Sequence, residues 1–113
     1  MADPTCVLLV DPNDTVRYFT AEVLTRRAFS VLQAQSGAEA WRIGSVSGRA
    51  IDVLVTDATL GDMTGLELLD RLRRTWPDLR AVLIGASNHP GEVALRKPYL
   101  PNALADAVDA VVG

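Results

Sequence analysis

Short, almost wholly apolar runs alternate along this chain with longer stretches in which apolar residues recur at helical spacing. The clearest runs are 6–10, 53–55, 81–84 and 93–95, and the half-polar pair 31–32 suits a strand near the edge of a sheet. Strands that alternate with helices predict a parallel sheet covered on both faces, because parallel neighbours are joined by crossover segments. The predicted class is therefore α/β, with five parallel strands in one doubly wound sheet.

The stretches between the strands carry signals for the starts and ends of helices. Ser36 with Glu39, and Thr64 with Glu67, have the spacing of capping boxes, in which each side chain accepts a hydrogen bond from the other residue's backbone. Pro77 cannot continue a helix, so the third helix is predicted to run as far as the residue before it.

The packed faces of the first and last helices follow from the spacing of their apolar residues. The predicted packed face of the first helix consists of Val16, Phe19, Val23 and Leu24. Pro101 suits the first turn of the last helix, where a missing N–H costs nothing. The predicted packed face of that helix consists of Leu104, Val108, Val111 and Val112.

The connection between the fourth and fifth strands, residues 86–93, is only about eight residues long. A parallel crossover that contains a helix needs a dozen residues or more. An extended loop of that length reaches roughly 26 Å at 3.3 Å per residue, which is enough to run back along a strand of about 17 Å. We therefore predict that the fourth helix is reduced to a loop, with His89 as a solvated residue in it.

Charge and composition exclude several classes of function. Eleven Lys and Arg against fourteen Asp and Glu give a net charge of −3, whereas a nucleic-acid-binding surface normally contains a basic patch. No apolar stretch approaches the roughly 20 residues of a membrane span, and residues 1–4 lack the basic start of a signal peptide. We expect one domain over residues 1–113, located in the cytoplasm, with the lone Cys6 as a small core residue.

Three charged residues follow predicted strands: Asp11 the first, Asp57 the third and Lys97 the last. Ligands of open parallel sheets bind outside the carboxyl ends of the strands, so these side chains are expected at one end of the sheet. Two carboxylates at neighbouring strand ends repel each other and suit a hard, oxygen-ligated cation such as Mg²⁺. A lysine can hold a phosphoryl group, and one carboxylate can act as a nucleophile that forms an acyl phosphate.

Four segments together resemble the receiver domain of bacterial two-component response regulators, and the resemblance covers essentially the whole chain. They are residues 7–11, 52–57, 62–69 and 97–99. The resemblance implies a flavodoxin-like fold with strand order 2-1-3-4-5. It also implies a signalling module rather than an enzyme, with a histidine kinase or a histidine phosphotransferase as its partner.

The resemblance also implies a role for individual residues. Asp57 would accept the phosphoryl group, and Asp11 would belong to an acidic pair that binds Mg²⁺ together with Asp57. Thr59 would contribute its backbone carbonyl to the metal. Lys97 would contact the phosphoryl group and would be joined to Pro98 by a cis peptide bond.

The sequence departs from the family pattern at three positions. The acidic pair normally occupies two consecutive residues, but the second here is Pro12, so Mg²⁺ binding is expected to be weak. Asp14 is a candidate substitute ligand, or more simply the cap of the first helix. The hydroxyl residue that contacts the phosphoryl group aligns with Gly85, with Ser87 as a candidate replacement, and the switch aromatic aligns with Ala94.

Two other functions remain as alternatives. The departures suit a pseudo-receiver, a protein-interaction module that does not use phosphate. An aspartate after the first strand is also similar to haloacid-dehalogenase phosphatases, although these place one residue between their two aspartates, and two separate Asp11 from Asp14. Because Gly85 and Ala94 remove the parts that usually move in the family, we expect partners to dock on the first helix, at residues 16–27.

Overall fold

The strands form one parallel sheet with helices on both faces. The structure, a computed structural model, describes residues 4–46, 48, 50–85, 93–95 and 99–112. The strands are β1 (Cys6–Val10), β2 (Ser30–Ala34), β3 (Val53–Asp57), β4 (Arg80–Ile84) and β5 (Val93–Leu95), in the order β2-β1-β3-β4-β5. The helices are α1 (Asp14–Arg26), α2 (Gly37–Val46), α3 (Gly65–Leu72) and α4 (Pro101–Val112). The predicted α/β class, flavodoxin-like with a parallel sheet, is confirmed.

The two edges of the sheet differ from its centre. Strand β2 lies at one edge, as its half-polar sequence predicts. At the other edge, β5 is a segment of only three residues beside β4. The predicted loop in place of a fourth helix falls on 86–92, with His89, and lies outside the described residues.

Alternate residues of the central strands enter two separate cores. On β1, Leu8 packs with the side chains of α2 and α3, whereas Leu9 packs with those of α1 and α4. Both faces of the central strands are therefore buried, which explains their continuous apolar sequence. Cys6 is a buried free thiol in the first of these cores, as predicted.

The helix starts follow the predicted capping signals in part. At α3, the Thr64 side chain accepts a hydrogen bond from the Glu67 amide and the Glu67 carboxylate accepts one from the Thr64 amide, so the capping box is confirmed. At α2, Ser36 accepts from the Glu39 amide, but the Glu39 carboxylate accepts from the amide of Gln35 rather than Ser36.

The predicted packed face of α1 is wrong in its first half. Val16 is 39% exposed and Phe19 is 58% exposed, whereas the buried residues of this helix are Thr20, Ala21 and Leu24. Apolar spacing defines the period of a helix but not which of two adjacent stripes packs. The packed stripe of α1 contains the polar Thr20 and the small Ala21. A prediction based on large apolar residues passes over both.

Two predicted helix boundaries also need correction. Asn13, not Asp14, caps α1, because its side-chain oxygen accepts a hydrogen bond from the Val16 amide. Helix α3 ends at Leu72 rather than at the residue before Pro77, and the chain continues in turns to the next strand. None of the helices within the described residues is long and apolar enough to span a bilayer.

Candidate functional site

The two aspartates predicted for the site lie side by side at the carboxyl end of the sheet. Val10 of β1 is paired with Thr56 of β3, so Asp11 and Asp57 follow at neighbouring positions. Both are nearly buried, with 3% of Asp11 and 7% of Asp57 exposed. Buried carboxylates are rare unless they are paired or bind a cation, which marks this edge as the candidate site.

The loop after β1 is held by hydrogen bonds that the sequence did not reveal. The Asp11 carboxylate accepts from the Asn13 amide at 2.8 Å. The Arg17 guanidinium donates to the Asp11 carbonyl at 2.7 Å and pairs with the Asp14 carboxylate at 2.7 Å. Asp14, whose side chain is 78% exposed, is therefore engaged in an ion pair with Arg17. Only the three-residue spacing of Asp14 and Arg17 could have suggested this pair.

The loop after β3 forms a tight hairpin over residues 58–65. Thr59 pairs with Thr64 across its base, and the Leu60 amide donates to the Met63 carbonyl at 2.9 Å. The Gly65 amide closes the hairpin by donating to the carbonyl of Ala58 at 2.9 Å. The hairpin thus holds the backbone of Thr59 immediately beyond the end of β3.

Helix α3 can start so close to β3 only because its first residue is glycine. A Cβ at Gly65 would lie 2.6 Å from the carbonyl oxygen of Asp57 and 2.9 Å from the methyl carbon of Thr56. Backbone atoms cannot give way as a side-chain tip can, so any larger residue would displace the end of β3. A glycine at position 65, within the segment that resembles the receiver family, therefore allows α3 to start beside Asp57.

A small open pocket lies beside Asp57. Its volume is about 160 Å³, and its lining comprises Asp57, Ala58, Thr59, Ile84 and Gly85. The pocket bridges the ends of β3 and β4, because Asp57 is paired with Ile84. It is large enough for a phosphoryl group with a few water molecules, each of which occupies about 30 Å³ in the liquid.

Gly85 has a backbone conformation that disfavours the hydroxyl residue usual in the family. Its φ is +83°, in the left-handed region that residues with a Cβ rarely adopt. Its amide donates to the carbonyl of Leu95, which ties this turn to β5. The departure at position 85 is thus accompanied by a change of backbone conformation as well as the loss of a donor.

Asp62, at the tip of the hairpin, contacts a different element. Its carboxylate accepts hydrogen bonds from the amides of Ala38 at 2.9 Å and Gly37 at 3.1 Å, at the start of α2. These donors, that of Ala38 foremost, lower the pKa of the Asp62 carboxyl below its ordinary value. The sequence contained no signal for this contact, since 24 residues separate Asp62 from Ala38.

The oxygen atoms at this edge are of the kinds that bind Mg²⁺. Mg²⁺ is commonly bound by one or two carboxylates with water and phosphate oxygens completing an octahedron, and Asp11, Asp57 and the carbonyl of Thr59 are of this kind. Pro12 has no side-chain ligand to offer. Within the part of the chain that the structure describes, no group of three or more His, Cys, Asp or Glu side chains could hold a metal ion.

Several predicted site residues fall where no side chain is described. Lys97, Pro98 and Ser87 lie outside the described residues, as does the predicted cis bond. Ala94 is part of β5, but its side chain is among those not described. The structure therefore brings together Asp11, Asp57 and Thr59 of the predicted set.

Comparison with known proteins assigns this chain to a family. A family model of the response regulator receiver domain matches residues 7–108. This chain belongs to that family. Proteins of the family are generally signalling modules rather than catalysts, and they typically bind Mg²⁺ at their acidic pocket.

Relatives of this receiver include one protein that is much longer than this chain and one of similar length. The sensor kinase CckA of Brucella abortus is 34% identical over 112 residues, which cover 90% of this chain but only 12% of the kinase. A chemotaxis protein CheY homologue of Campylobacter jejuni is 30% identical over 120 residues, covering 95% of this chain and 92% of the homologue. The receiver thus spans a small part of the first relative and nearly all of the second.

Solved structures of receivers superimpose closely. The receiver domain of the hybrid histidine kinase CckA has a TM-score of 0.85 at 29% identity, with 96% of this chain and 99% of that domain covered. The chemotaxis response regulator CheY4 of Vibrio cholerae has a TM-score of 0.84 at 22% identity, covering 96% of this chain and 98% of CheY4. The second likeness concerns the fold alone.

Proposed function

We propose that this receiver accepts a phosphoryl group on Asp57 from a histidine kinase or a histidine phosphotransferase. The observation that carries the proposal is the nearly buried carboxylate of Asp57, which lines a pocket at the end of β3 beside the buried Asp11. We also propose that this receiver acts in the cytoplasm. The domain is proposed to comprise residues 1–113.

The chemical step is a transfer between two covalent phosphoryl carriers. A carboxylate oxygen of Asp57 attacks the phosphorus of a phosphohistidine and forms a P–O bond. The P–N bond breaks, and its electron pair leaves on the imidazole nitrogen of the partner. Mg²⁺, when bound by Asp11, Asp57 and the Thr59 carbonyl, would neutralise the charge that collects there. Lys97 is proposed to hold a phosphoryl oxygen.

The test of this function is the intact mass of the chain after incubation with acetyl phosphate and Mg²⁺. The wild-type chain should gain the mass of one phosphoryl group, and Asp57→Asn should gain none. Asp52→Asn is a matched control, because the Asp52 carboxylate accepts from the Cys6 amide at the opposite end of the sheet and should not affect labelling. Labelling that persists in Asp57→Asn would show that the site is wrongly assigned.

The exposed part of α1 is the proposed docking surface for the phosphoryl donor. Val16, Tyr18 and Phe19 form an exposed apolar patch, and the rings of the two aromatic residues meet edge to face at 5.4 Å. Large exposed aromatic side chains are typical of protein interfaces. The patch begins five residues after Asp11, so a partner bound there can present its histidine to the same edge of the sheet.

Docking and chemistry can be separated with one substitution. Phe19→Ser should slow transfer from a phosphorylated partner but leave labelling by acetyl phosphate unchanged, since the small donor does not need the patch. Val46→Ser is the matched control, because Val46 is also an exposed apolar residue, 73% exposed, but lies on α2. Equal transfer rates for Phe19→Ser and the wild-type chain would place the docking surface elsewhere.

A pseudo-receiver is the second candidate, favoured by Pro12 and by the left-handed Gly85. At position 12 the chain lacks the acid that contacts the metal in the family, and at position 85 it lacks the hydroxyl that contacts the phosphoryl group. In that case the wild-type chain would bind its partner with unchanged affinity in the presence of acetyl phosphate and would gain no mass.

A further inference from the structure

The tip of the hairpin after β3 is anchored on the start of α2. The two oxygens of the Asp62 carboxylate accept hydrogen bonds from the amides of Gly37 and Ala38, at 3.1 and 2.9 Å. The next residue, Met63, packs on the same place, since a Cβ at Gly37 would lie 2.4 Å from the Met63 side chain. One charged contact and one apolar contact therefore join the hairpin to another element.

The base of the same hairpin carries the backbone carbonyl proposed as a metal ligand. Thr59 is paired with Thr64 through two backbone hydrogen bonds, from the Leu60 amide to the Met63 carbonyl and from the Gly65 amide to the Ala58 carbonyl. These bonds connect the tip of the hairpin to its base. Thr59 and Asp62 are themselves exposed, while the side chain of Leu60 is buried. Among the described residues, the hairpin is held by the contact of Asp62 and Met63 with α2. It is also held by the burial of Leu60 and by the hydrogen bond from the Ala58 amide to the Ile84 carbonyl at 2.8 Å.

We propose that Asp62 is a positioning residue for the metal site. By holding the tip of the hairpin on α2, it keeps the Thr59 carbonyl in place beside Asp57. The inference rests on the proposed function, because it requires Mg²⁺ at Asp11, Asp57 and Thr59. In this receiver Pro12 supplies no carboxylate, so the backbone ligand carries a larger share of Mg²⁺ binding.

A purely structural role would have a different signature. The amides in the first turn of a helix lack partners within the helix, and Asp62 satisfies two of them at α2, while Ser36 satisfies that of Glu39. A cap alone would contribute to the stability of the fold and leave the metal affinity unchanged. A positioning residue changes both.

The experiment compares Mg²⁺ binding to the full unphosphorylated chain by calorimetry. Asp62→Asn keeps the shape of the side chain but replaces one accepting oxygen with an NH₂ group, which cannot accept. We expect Mg²⁺ to bind about tenfold more weakly, the lower end of the effect of removing a group that orients a metal ligand. Asp52→Asn removes an equivalent oxygen at the other end of the sheet and should bind Mg²⁺ as the wild-type chain does.

A second variant breaks the same contact from the other side. Ala38→Pro removes the N–H that donates to Asp62 and leaves the carboxylate intact, and proline is tolerated in the first turn of a helix. It should weaken Mg²⁺ binding in the same direction and shift the amide resonances of Thr59 and Leu60. This variant keeps the inference testable even where Asp62→Asn does not fold.

The outcomes distinguish the inference from the function on which it rests. Wild-type affinity in both Asp62→Asn and Ala38→Pro, with a chain that binds Mg²⁺ and is labelled on Asp57, would overturn the positioning role and leave the function standing. A wild-type chain that binds no Mg²⁺ and gains no phosphoryl group would overturn both. Loss of stability without loss of affinity would assign Asp62 to capping alone.

Discussion

At the scale of single residues, the proposed acceptor Asp57 has surroundings that differ from the family pattern. Asp57 and Asp11 occupy the positions that a receiver needs, and both are nearly buried. Position 12 has a proline in place of the second acid, and Gly85 has a left-handed backbone in place of a hydroxyl residue. The proposed rate of phosphorylation of Asp57 therefore depends on how much the residues at positions 12 and 85 contribute to binding Mg²⁺ and the phosphoryl group.

Restoring the acid should strengthen the metal site. Pro12→Asp adds a carboxylate beside Asp11, and one additional charged ligand is typically worth about 1.5–3 kcal/mol, or roughly a ten- to hundredfold gain in Mg²⁺ affinity. Labelling by acetyl phosphate should accelerate in parallel, as followed by intact mass over time. Unchanged affinity and rate in Pro12→Asp would remove the explanation based on the missing acid.

Restoring the hydroxyl should instead destabilise the fold. In Gly85→Ser a residue with a Cβ must adopt a φ of +83°, which costs about 1–2 kcal/mol. Denaturation in urea should show that loss, whereas Gly48→Ser should be nearly neutral, because Gly48 is exposed and has open space around it. Equal stability of the two variants would mean that the turn after β4 readily adopts another conformation.

The carboxyl of Asp62 should make stability depend on pH in the acid range. Its pKa is lowered in the folded chain, so its contribution is complete above the ordinary pKa of 3.8 and is lost as the pH falls through the lower folded value. The difference in denaturation midpoint between wild type and Asp62→Asn should be constant from neutral pH to about pH 5 and shrink below about pH 4. A difference that widens in acid would contradict this assignment.

At the scale of elements, the site depends on where helices begin. Helix α3 starts against the end of β3 through Gly65, and α2 starts against the hairpin through Gly37 and Asp62. Helix α1 starts with Asn13 as its cap, directly after Asp11. Three helix starts thus surround the carboxyl end of the sheet, and the packing of each determines the position of a loop.

The start of α3 gives a prediction at this scale. Gly65→Ala should cost about 1–3 kcal/mol by overpacking, because the added Cβ meets the backbone oxygen of Asp57 at 2.6 Å. Gly44→Ala should cost less, since its Cβ meets the flexible tip of Leu72 at 2.8 Å. Urea denaturation measures both, and labelling should slow only in Gly65→Ala. The reverse ranking would show that β3 yields more easily than Leu72.

At the scale of the whole molecule, a parallel sheet with two cores holds the site on rigid strand ends. The central strands β1 and β3 are buried throughout, whereas β5 has only three residues. By the resemblance to receivers, Gly85 and Ala94 occupy the positions of the hydroxyl residue and the switch aromatic through which the signal passes in the family. A conformational change after phosphorylation therefore cannot be transmitted by a hydroxyl group at position 85 or an aromatic ring at position 94.

We accordingly predict a small response to phosphorylation and a long-lived product. Chemical-shift changes on labelling should be confined to the loops after β1, β3 and β4, and the labelled mass should decay slowly, because the groups missing from the site also assist hydrolysis. Pro12→Asp should shorten the lifetime. Large shifts along α1 and α4, or rapid loss of the label from the wild-type chain, would contradict this prediction.

The sequence by itself determined the class of fold and the two central residues of the site. Strand ends are local features, and parallel strands place their carboxyl ends at one edge, so Asp11 and Asp57 could be located from the chain alone. The capping box at Thr64 and the start of α4 at Pro101 could likewise be predicted, because each depends on residues that are close together in the sequence.

Only the tertiary structure decided which surfaces pack and which distant groups meet. Phe19, predicted to pack, is exposed and Thr20 is buried, because the neighbours of α1 and not its period select the buried stripe. The contact of Asp62 with α2 joins residues 24 and 25 positions apart, and the amide of Gly85, in its left-handed turn, donates to the carbonyl of Leu95. Such contacts arise from the meeting of elements in space, so no local pattern in the sequence predicts them.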